Sequence, residues 1–270
     1  MSESDPVIYS VEDSVAWLRL NRPDQMNAMT NGLMQGISAG VLKVCEDPSI
    51  RALVITGQGR GFCAGADLNQ VADGTSPAEN AGNPQADTNV DYFNKALADL
   101  QNCPVPTIAR VNGAAAGGGL GLALACDVTI AAHSAFFVAT FGPNLGIVPD
   151  MGTTWNLPRR IGRARSLSMA LLGERVSATQ AEEWGLIWRA VPDDDLDEET
   201  AKAVAILKNS SPDASVRIRE TIDAAVDNGF ERQLDLEMEH QAVLIPKNMK
   251  AGAKAFLEKR KPTFDGSRKR

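Results

Sequence analysis

The sequence predicts an α/β protein in which strand–helix units are followed by an all-helical end. Short apolar or β-rich runs alternate with helical periodicity as far as Val191, and the pattern over residues 196–259 is helical throughout. Glycine-rich loops follow two of the predicted strands, which is where open α/β sheets bind ligands. The length of 270 residues corresponds to one large domain or to a domain with a small appendage.

The chain opens with a predicted β-hairpin and a helix. Residues 7–9 and 15–20 have the composition of strands, and Glu12-Asp13 between them is typical of a turn. Thr30 is a candidate N-cap for a helix whose apolar residues recur at helical spacing, and Pro48 ends that helix.

Two glycine-rich loops give the strongest functional signal. GQGRGFCAGADL follows a predicted buried strand at 52–56, and a second strand at 107–111 leads to Gly117, Gly118 and Gly119. The next residues, 120–126, are almost wholly apolar and predict a buried helix whose first amides lack intrahelical partners. Such donors attract negative charge, but no Lys-Ser or Lys-Thr follows the glycines, so a phosphate loop is excluded. We expect an oxyanion site; the alternative is a helix that uses glycine to pack closely on a sheet.

The remaining segments alternate between irregular, strand and helical patterns. Residues 72–89 are short of apolar side chains and predict a mobile loop, placed where a lid could form. Residues 141–152 are irregular and rich in turn signals. Further strands are predicted at 136–138 and 188–191. Further helices are predicted at 90–100, 163–172, 177–184, 198–208, 215–228, 230–242 and 247–259.

Composition and charge exclude several functional classes. The formal net charge of −7 argues against a nucleic-acid groove, and no apolar run approaches the length of a membrane span. The four cysteines form no CxxC pair and the N-terminus lacks an apolar signal region, so we expect a reduced, cytoplasmic protein. His133 and His240 are far apart in the sequence, and we expect no metal site.

Basic residues cluster near the end of the chain. A run of this kind predicts a solvated tail or a segment that contacts the phosphates of a ligand. The residues are Lys259, Arg260, Lys261, Arg268, Lys269 and Arg270.

Four motifs carry a family resemblance. In chain order they are LNRPDQMNAM, GRGFCAGADL, ARVNGAAAGGGLGLALACD and GIVPDMGTTWNLPRRIGRAR. In this order and spacing they resemble the crotonase (enoyl-CoA hydratase/isomerase) superfamily, from about Val7 to Phe264. Within it, the stretch LLGERVSATQAEEWGLIW and the ending QLDLEMEH…KAFLEKRKPTF resemble the phenylacetate-pathway isomerases that act on ring-epoxidised phenylacetyl-CoA.

The resemblance implies an architecture, a substrate and an assembly. Residues 1–196 are expected to form a crotonase-like spiral of ββα units with an acyl-CoA site. Residues 197–270 are expected to form a C-terminal helical region that builds homotrimers or hexamers, with no nucleic-acid or membrane partner. The substrate is an acyl-CoA thioester, so coenzyme A enters as part of the substrate and no separate cofactor is expected. The basic tail could then reach the CoA phosphates of a neighbouring chain.

The resemblance also assigns site residues by motif position. Two backbone amides, those of Ala66 and Gly118, are expected to donate to the thioester oxygen, and losing one such donor typically costs roughly 3–4 kcal/mol of barrier. From the residues alone, Ala66 could be a simple turn residue, Arg22 is equally compatible with a surface charge pair, and Asp67 favours a structural cap. Contacts with CoA or the acyl group are expected at Arg22, Ala28, Ala64, Asp67, Leu68, Gly117 and Trp155.

Carboxylates decide which reaction the resemblance implies. Hydratases of this family are expected to carry two glutamates, but position 121 is Gly and residues 137–145 (FVATFGPNL) contain no carboxylate. Asp150 matches the position where isomerases of the superfamily keep an aspartate, and burial beside Trp155 would make it a better base. We therefore favour an isomerase that shifts a double bond, or rearranges a ring-derived acyl group, with Asp150 as acid and base.

Alternatives stay open at this point. Asp150 after Pro149 also suits the N-cap of a helix over residues 151–157. An enoyl-CoA hydratase that uses Asp150 and a second group is the alternative activity, and a protein that keeps the fold and only binds is the alternative class. Asp127 favours a structural hydrogen-bonding role, while Cys63 and Cys126 are interpreted as small core residues.

Overall fold

The computed structural model describes residues 5–72 and 92–268. The predicted loop at 72–89 lies outside these ranges except for Ala72. In the described part of the chain, ten strands form two sheets. The strands are β1 (Val7–Glu12), β2 (Val15–Leu20), β3 (Ala52–Gly57), β4 (Gly61–Cys63), β5 (Thr107–Val111), β6 (Ala114–Ala116), β7 (Val128–Ala132), β8 (Phe136–Val138), β9 (Val176–Ser177) and β10 (Arg189–Val191).

The helices begin largely where the sequence predicts. Thr30 caps the first helix, because its hydroxyl accepts from the amide of Leu33 at 3.2 Å, and Ser177 caps the sixth in the same way through Gln180. The helices are α1 (Asn31–Glu46), α2 (Leu68–Ala72), α3 (Tyr92–Gln101), α4 (Gly118–Leu124), α5 (Thr153–Leu172), α6 (Ala178–Glu183), α7 (Leu196–Leu207), α8 (Pro212–Ala224), α9 (Phe230–Leu244) and α10 (Lys250–Leu257).

The chain repeats a unit of two strands that turns from one sheet into the other. The larger sheet has the order β1-β2-β3-β5-β7-β10 and the smaller sheet the order β4-β6-β8-β9. The long strands β3, β5 and β7 are each followed at once by a short strand of the smaller sheet, and α2 or α4 follows the first two units. Only the pairs β1–β2 and β8–β9 are antiparallel in the described residues. The α/β class built from ββα units is therefore confirmed.

Two differences between the predicted and the observed elements have identifiable reasons. β6 was missed because three consecutive alanines carry no strand pattern, and its pairing with β4 and β8 is a tertiary effect. The helix predicted at 163–172 is the second half of α5, which begins at Thr153 and bends at Gly162, where φ is +71°. A left-handed residue inside a helix breaks its geometry, and the sequence pattern accordingly predicts 151–157 and 163–172 as separate segments.

The core is mainly aliphatic, and its cysteines are buried. Cys63 and Cys126 lie in the core as predicted. Burial raises the pKa of Cys63 to about 12, so its thiol stays neutral at physiological pH. No helix in the described ranges has the length and apolarity needed to cross a membrane.

Asp127 fastens a C-terminal helix to the larger sheet. Its carboxylate accepts from the amide of Thr107 at 2.7 Å and pairs with the guanidinium of Arg219 on α8. Arg219 also donates to the carbonyls of Cys103 and Val105. The structural role predicted for Asp127 is thus confirmed, whereas the domain boundary at 196/197 stays a prediction.

The basic tail is not simply solvated. Arg268 donates to the carbonyl of Val44 in the last turn of α1, where helix carbonyls lack intrahelical partners, and to those of Asp47 and Ile50 in the segment that follows. The expectation of a solvated tail is therefore wrong at Arg268. Lys269 and Arg270 lie outside the described residues.

Candidate active site

The two predicted glycine loops lie against each other. Gly65 has a φ of +90°, and a β-carbon there would lie 2.8 Å from the carbonyl oxygen of Ala116 and 3.2 Å from the amide nitrogen of Gly118. Gly117, with a φ of +51°, is the N-cap of α4. Because only glycine combines a relaxed left-handed backbone with the absence of a side chain, the loops need glycine where they meet.

A short parallel pairing with Met29 orients the backbone of Ala66. The amide of Met29 donates to the carbonyl of Gly65 at 2.7 Å, and the amide of Asp67 donates to the carbonyl of Met29 at 3.1 Å. Since backbone N–H groups alternate in direction along extended chain, the amide of Ala66 points away from Met29. Among residues 5–72 and 92–268, neither this amide nor that of Gly118 donates to a backbone carbonyl. Both therefore lie near the loop contact as donors that the described backbone does not use.

An ion pair joins the segment before α1 to the first glycine loop. Arg22 Nη2 lies 2.8 Å from Asp67 Oδ2, and Asp67 is only 8% exposed. Asp67 Oδ1 also accepts from the amide of Asn69 in the first turn of α2. Arg22 thus forms a charge pair, although a largely buried one and not the surface pair considered from the sequence, and the structural cap considered for Asp67 is present. A contact of either residue with CoA stays a prediction.

Burial alternates along the first glycine loop. Gly65 and Asp67 face the protein, whereas Ala64, Ala66 and Leu68 are exposed. Ala64, Ala66 and Leu68 therefore form the solvent-facing side of this loop. The placement of CoA along this face stays a prediction.

Ala28 takes a different position from the other predicted CoA contacts. It is 8% exposed, and its carbonyl oxygen accepts from the guanidinium of Arg22. That carbonyl is thus already engaged in holding Arg22 in place. A CoA contact at Ala28 stays a prediction.

Asp150 lies in a tight turn before α5. Its carbonyl oxygen accepts from the amide of Thr153 at 2.9 Å, and the residues between them, Met151 and Gly152, have φ values of +54° and +68°. Gly152 is the N-cap of α5, so the interpretation of Asp150 as N-cap of a helix over 151–157 is wrong.

The burial predicted for Asp150 is also wrong. Asp150 is exposed, as is every residue of the preceding segment 143–148. Its predicted neighbour Trp155 is 38% exposed and carries the guanidinium of Arg159 4.1 Å from its ring centroid. The apolar residues before Asp150 thus lie largely at the surface, whereas Met151 after it is only 4% exposed.

The turn that holds Asp150 packs directly on α4. A β-carbon at Gly121 would lie 2.3 Å from the carbonyl oxygen of Met151, and one at Gly118 would lie 3.3 Å from Met151 Cγ and 3.0 Å from Met29 Sδ. Position 121, where a hydratase glutamate is expected, is therefore covered by the backbone of Met151. Sequence reasoning missed Met29 and Met151, because a methionine next to apolar residues gives no signal beyond that of a core residue.

The arrangement combines two kinds of group that an oxyanion-stabilised proton transfer would use. Two backbone donors lie at the glycine-loop contact, and one exposed carboxylate lies in the turn packed beside it. In the part of the chain that the structure describes, no group of three or more His, Cys, Asp and Glu residues could hold a metal ion.

Comparison with known proteins places the chain in a family. The family described as Enoyl-CoA hydratase/isomerase matches residues 10–267, and the chain belongs to that family. It is 41% identical to the 1,2-epoxyphenylacetyl-CoA isomerase of Escherichia coli K12 over 96% of this chain and 98% of that protein. It is 38% identical to a probable enoyl-CoA hydratase of Rhodobacter capsulatus over 96% and 97%.

A solved structure agrees with this assignment. The crystal structure of an enoyl-CoA hydratase from Polaromonas sp. JS666 is 32% identical and superposes with a TM-score of 0.86, covering 96% of this chain and 99% of that one. The crotonase fold predicted from the motifs is thereby confirmed, as is membership of an enzyme family that contains both isomerases and hydratases.

Proposed function

We propose that the protein is an acyl-CoA isomerase in which Asp150 is the single acid and base. The amides of Ala66 and Gly118 stabilise the oxygen of an enolate intermediate. The observation that carries this proposal is the packing of the Asp150 turn on α4, in which Met151, the residue directly after the exposed Asp150, contacts Gly118 and Gly121. The lack of a carboxylate at position 121 and at 137–145 supports it.

With a 3-enoyl-CoA substrate, the proposed reaction moves one proton and gains no atom. Asp150 removes a proton from a carbon of the acyl chain, and the electrons of that C–H bond move toward the thioester carbonyl. The carbonyl oxygen then carries negative charge, which two fixed backbone donors stabilise. When the enolate collapses, the protonated Asp150 returns the proton to a carbon two atoms away, and the double bond shifts.

The acyl group and the assembly belong to the same proposal. A ring-derived acyl-CoA is favoured because a relative with 41% identity is named 1,2-epoxyphenylacetyl-CoA isomerase. Assembly as a homotrimer or hexamer and a cytoplasmic location complete the proposal. Apolar side chains exposed on the C-terminal helices support the assembly.

The second candidate is an enoyl-CoA hydratase. Relatives and solved structures named as hydratases favour it. Hydration needs groups that position and deprotonate a water molecule and that protonate carbon. The backbone of Met151 fills the space beside position 121, so a second group would have to come from another part of the chain.

A mass-spectrometric assay in ordinary and heavy water separates the two candidates. We expect double-bond migration and deuterium exchange without the mass gain of water when 3-enoyl-CoA, 2-enoyl-CoA or a ring-derived acyl-CoA is supplied. We expect Asp150→Asn to abolish turnover while acyl-CoA binding, measured by calorimetry, persists. Asp194→Asn, which changes another exposed aspartate, is the matched control. Rapid addition of water to 2-enoyl-CoA would contradict the isomerase and support the hydratase, and binding without any turnover would support the binding protein.

A further inference from the structure

Met151 connects the Asp150 turn to the helix that supplies a proposed oxyanion donor. Its side chain is 4% exposed and lies beside Gly118, the first residue of α4. Its carbonyl oxygen and Cβ lie against Gly121, one turn further along the same helix. One residue thus touches α4 at two successive turns, and its chain neighbour is the proposed base.

We infer that Met151 is a positioning residue that fixes the distance between Asp150 and the proposed oxyanion donors. Because Gly121 has no side chain, it leaves the space on α4 that Met151 occupies. This inference rests on the proposed function, because it concerns the placement of Asp150 relative to Gly118. Met151 itself touches neither a proton nor the substrate carbonyl in this assignment. It acts by holding the turn against α4.

The backbone of the turn gives an independent reason for a fixed position. Met151 is one of the few residues other than glycine with a positive φ in the described chain, and Gly152 after it is left-handed as well. Two left-handed central residues and the bond from Thr153 to Asp150 are the pattern of a type I′ turn. A methionine keeps this conformation only when its surroundings hold it, and the contacts with Gly118 and Gly121 provide that constraint.

The contact at Gly121 has no spare room. A β-carbon there would lie 2.3 Å from the carbonyl oxygen and 2.6 Å from Cβ of Met151, well inside normal separations. Relief of this overlap requires the turn to move by about 1 Å. Because a misplacement of about 1 Å can cost on the order of 100-fold in rate, we expect Gly121→Ala to lower kcat by that factor.

Steady-state kinetics, deuterium exchange and calorimetry of acyl-CoA binding test the inference. We expect Gly121→Ala to lower kcat and the rate of deuterium exchange together, while KM and the dissociation constant for acyl-CoA stay near their original values. A general loss of stability would not lower kcat and the exchange rate while leaving KM and the dissociation constant unchanged. Gly229→Ala is the matched control, because a β-carbon at Gly229 meets no atom within 4 Å and its φ is −72°.

Substitutions of Met151 keep the test decisive if Gly121→Ala does not fold. Met151→Leu retains the volume and the unbranched Cβ, so we expect it to keep most of kcat. Met151→Ile has a similar volume but places a β-branched residue at a positive φ, which such residues rarely adopt, so we expect a lower kcat. Equal activity of the Leu and Ile variants would contradict the assignment.

The outcomes for the two proposals are distinguishable. If Asp150→Asn is inactive while Gly121→Ala and Met151→Ile keep the original kcat, the positioning role is wrong and the isomerase proposal stands. If Asp150→Asn keeps its turnover, the proposed base is wrong, and the positioning role of Met151, which depends on it, is wrong as well. Loss of acyl-CoA binding in Gly121→Ala would also overturn the inference, since it would place Gly121 in binding.

Discussion

The core around the candidate site and the C-terminal helices are packed by opposite means. In the core, glycines bring backbone against backbone, as at Gly65 and Gly121, and the adjoining β3, β4 and β6 are buried almost throughout. On α9 no residue is buried. Large apolar side chains exposed on α8, α9 and α10 include Ile218, Ile222, Phe230, Leu234, Met238, Phe256 and Leu257.

This difference indicates that the first region holds the site residues at fixed distances and that the second region is available for contact with other protein chains. Backbone contacts without side chains allow little adjustment, which suits donors and a carboxylate that must keep fixed distances. An exposed apolar surface on several helices is typical of a contact with another protein chain. We therefore expect substitutions in the first region to change turnover and substitutions in the second to change assembly.

The largest effect is expected for Gly65→Ala. The new β-carbon would lie 2.8 Å from the carbonyl of Ala116 at a φ of +90°, so the loop must shift and the amide of Ala66 with it. We expect kcat to fall about 100- to 1,000-fold, the effect of losing one oxyanion donor. Gly252→Ala on α10, where the added β-carbon makes only ordinary contacts, is the control in steady-state assays. Unchanged kcat in Gly65→Ala would show that the contact between the loops does not matter for catalysis.

The second largest effect is expected for Arg219, whose interaction with Asp127 joins α8 to the larger sheet. Arg219→Ala removes the guanidinium from Asp127 and from three backbone carbonyls. We expect the free energy of unfolding to fall by about 2–3 kcal/mol, less than for a fully buried pair because Asp127 is partly exposed. Urea unfolding measures the change, with Arg232→Ala at an exposed ion pair on α9 as the control. Equal urea midpoints for the two variants would contradict a structural role for the pairing of Arg219 with Asp127.

A smaller effect is expected where the tail meets α1. Arg268→Ala leaves the carbonyls of Val44, Asp47 and Ile50 without their cationic donor. We expect a loss of about 0.5–2 kcal/mol in the free energy of unfolding, the range for a partly buried cation at a helix C-terminus. Thermal unfolding at low and high salt tests this, and kcat at a permissive temperature is expected to stay unchanged. A variant as stable as the original protein would restore the picture of a solvated tail.

The smallest effect on the chain itself is expected on its exposed apolar surface. Ile222 on α8 is 65% exposed, so Ile222→Ser is expected to change the unfolding free energy of the separate chain by about 0.5 kcal/mol or less. Gel filtration of the same variant is expected to show weaker assembly than the original protein. Asp227→Ser, at an exposed polar position just beyond α8, serves as the polar control. Assembly that is unaffected by Ile222→Ser would exclude this part of α8 from the interface.

Much of the site could be anticipated because its parts are local in sequence. A glycine-rich loop after a strand, an N-cap such as Thr30 and an aspartate after a proline each depend on a few adjacent residues. The contact of Gly65 with Gly118 joins residues that are distant in the sequence, and the motifs alone carry no distance between them. Burial was the property predicted least well, since the exposure of Asp150 depends on where the whole segment 143–148 lies.

By itself, the sequence determined the α/β class, the position of both glycine loops, the absence of the two hydratase carboxylates and the family. These are matters of residue type and local order, which the chain carries directly. Only the tertiary structure decided that Arg22 pairs with Asp67, that Arg268 closes the end of α1, and that Met151 fills the space beside Gly121. Each of these contacts joins segments that are separate in the chain, and their geometry follows from how the sheets and helices pack rather than from any local pattern.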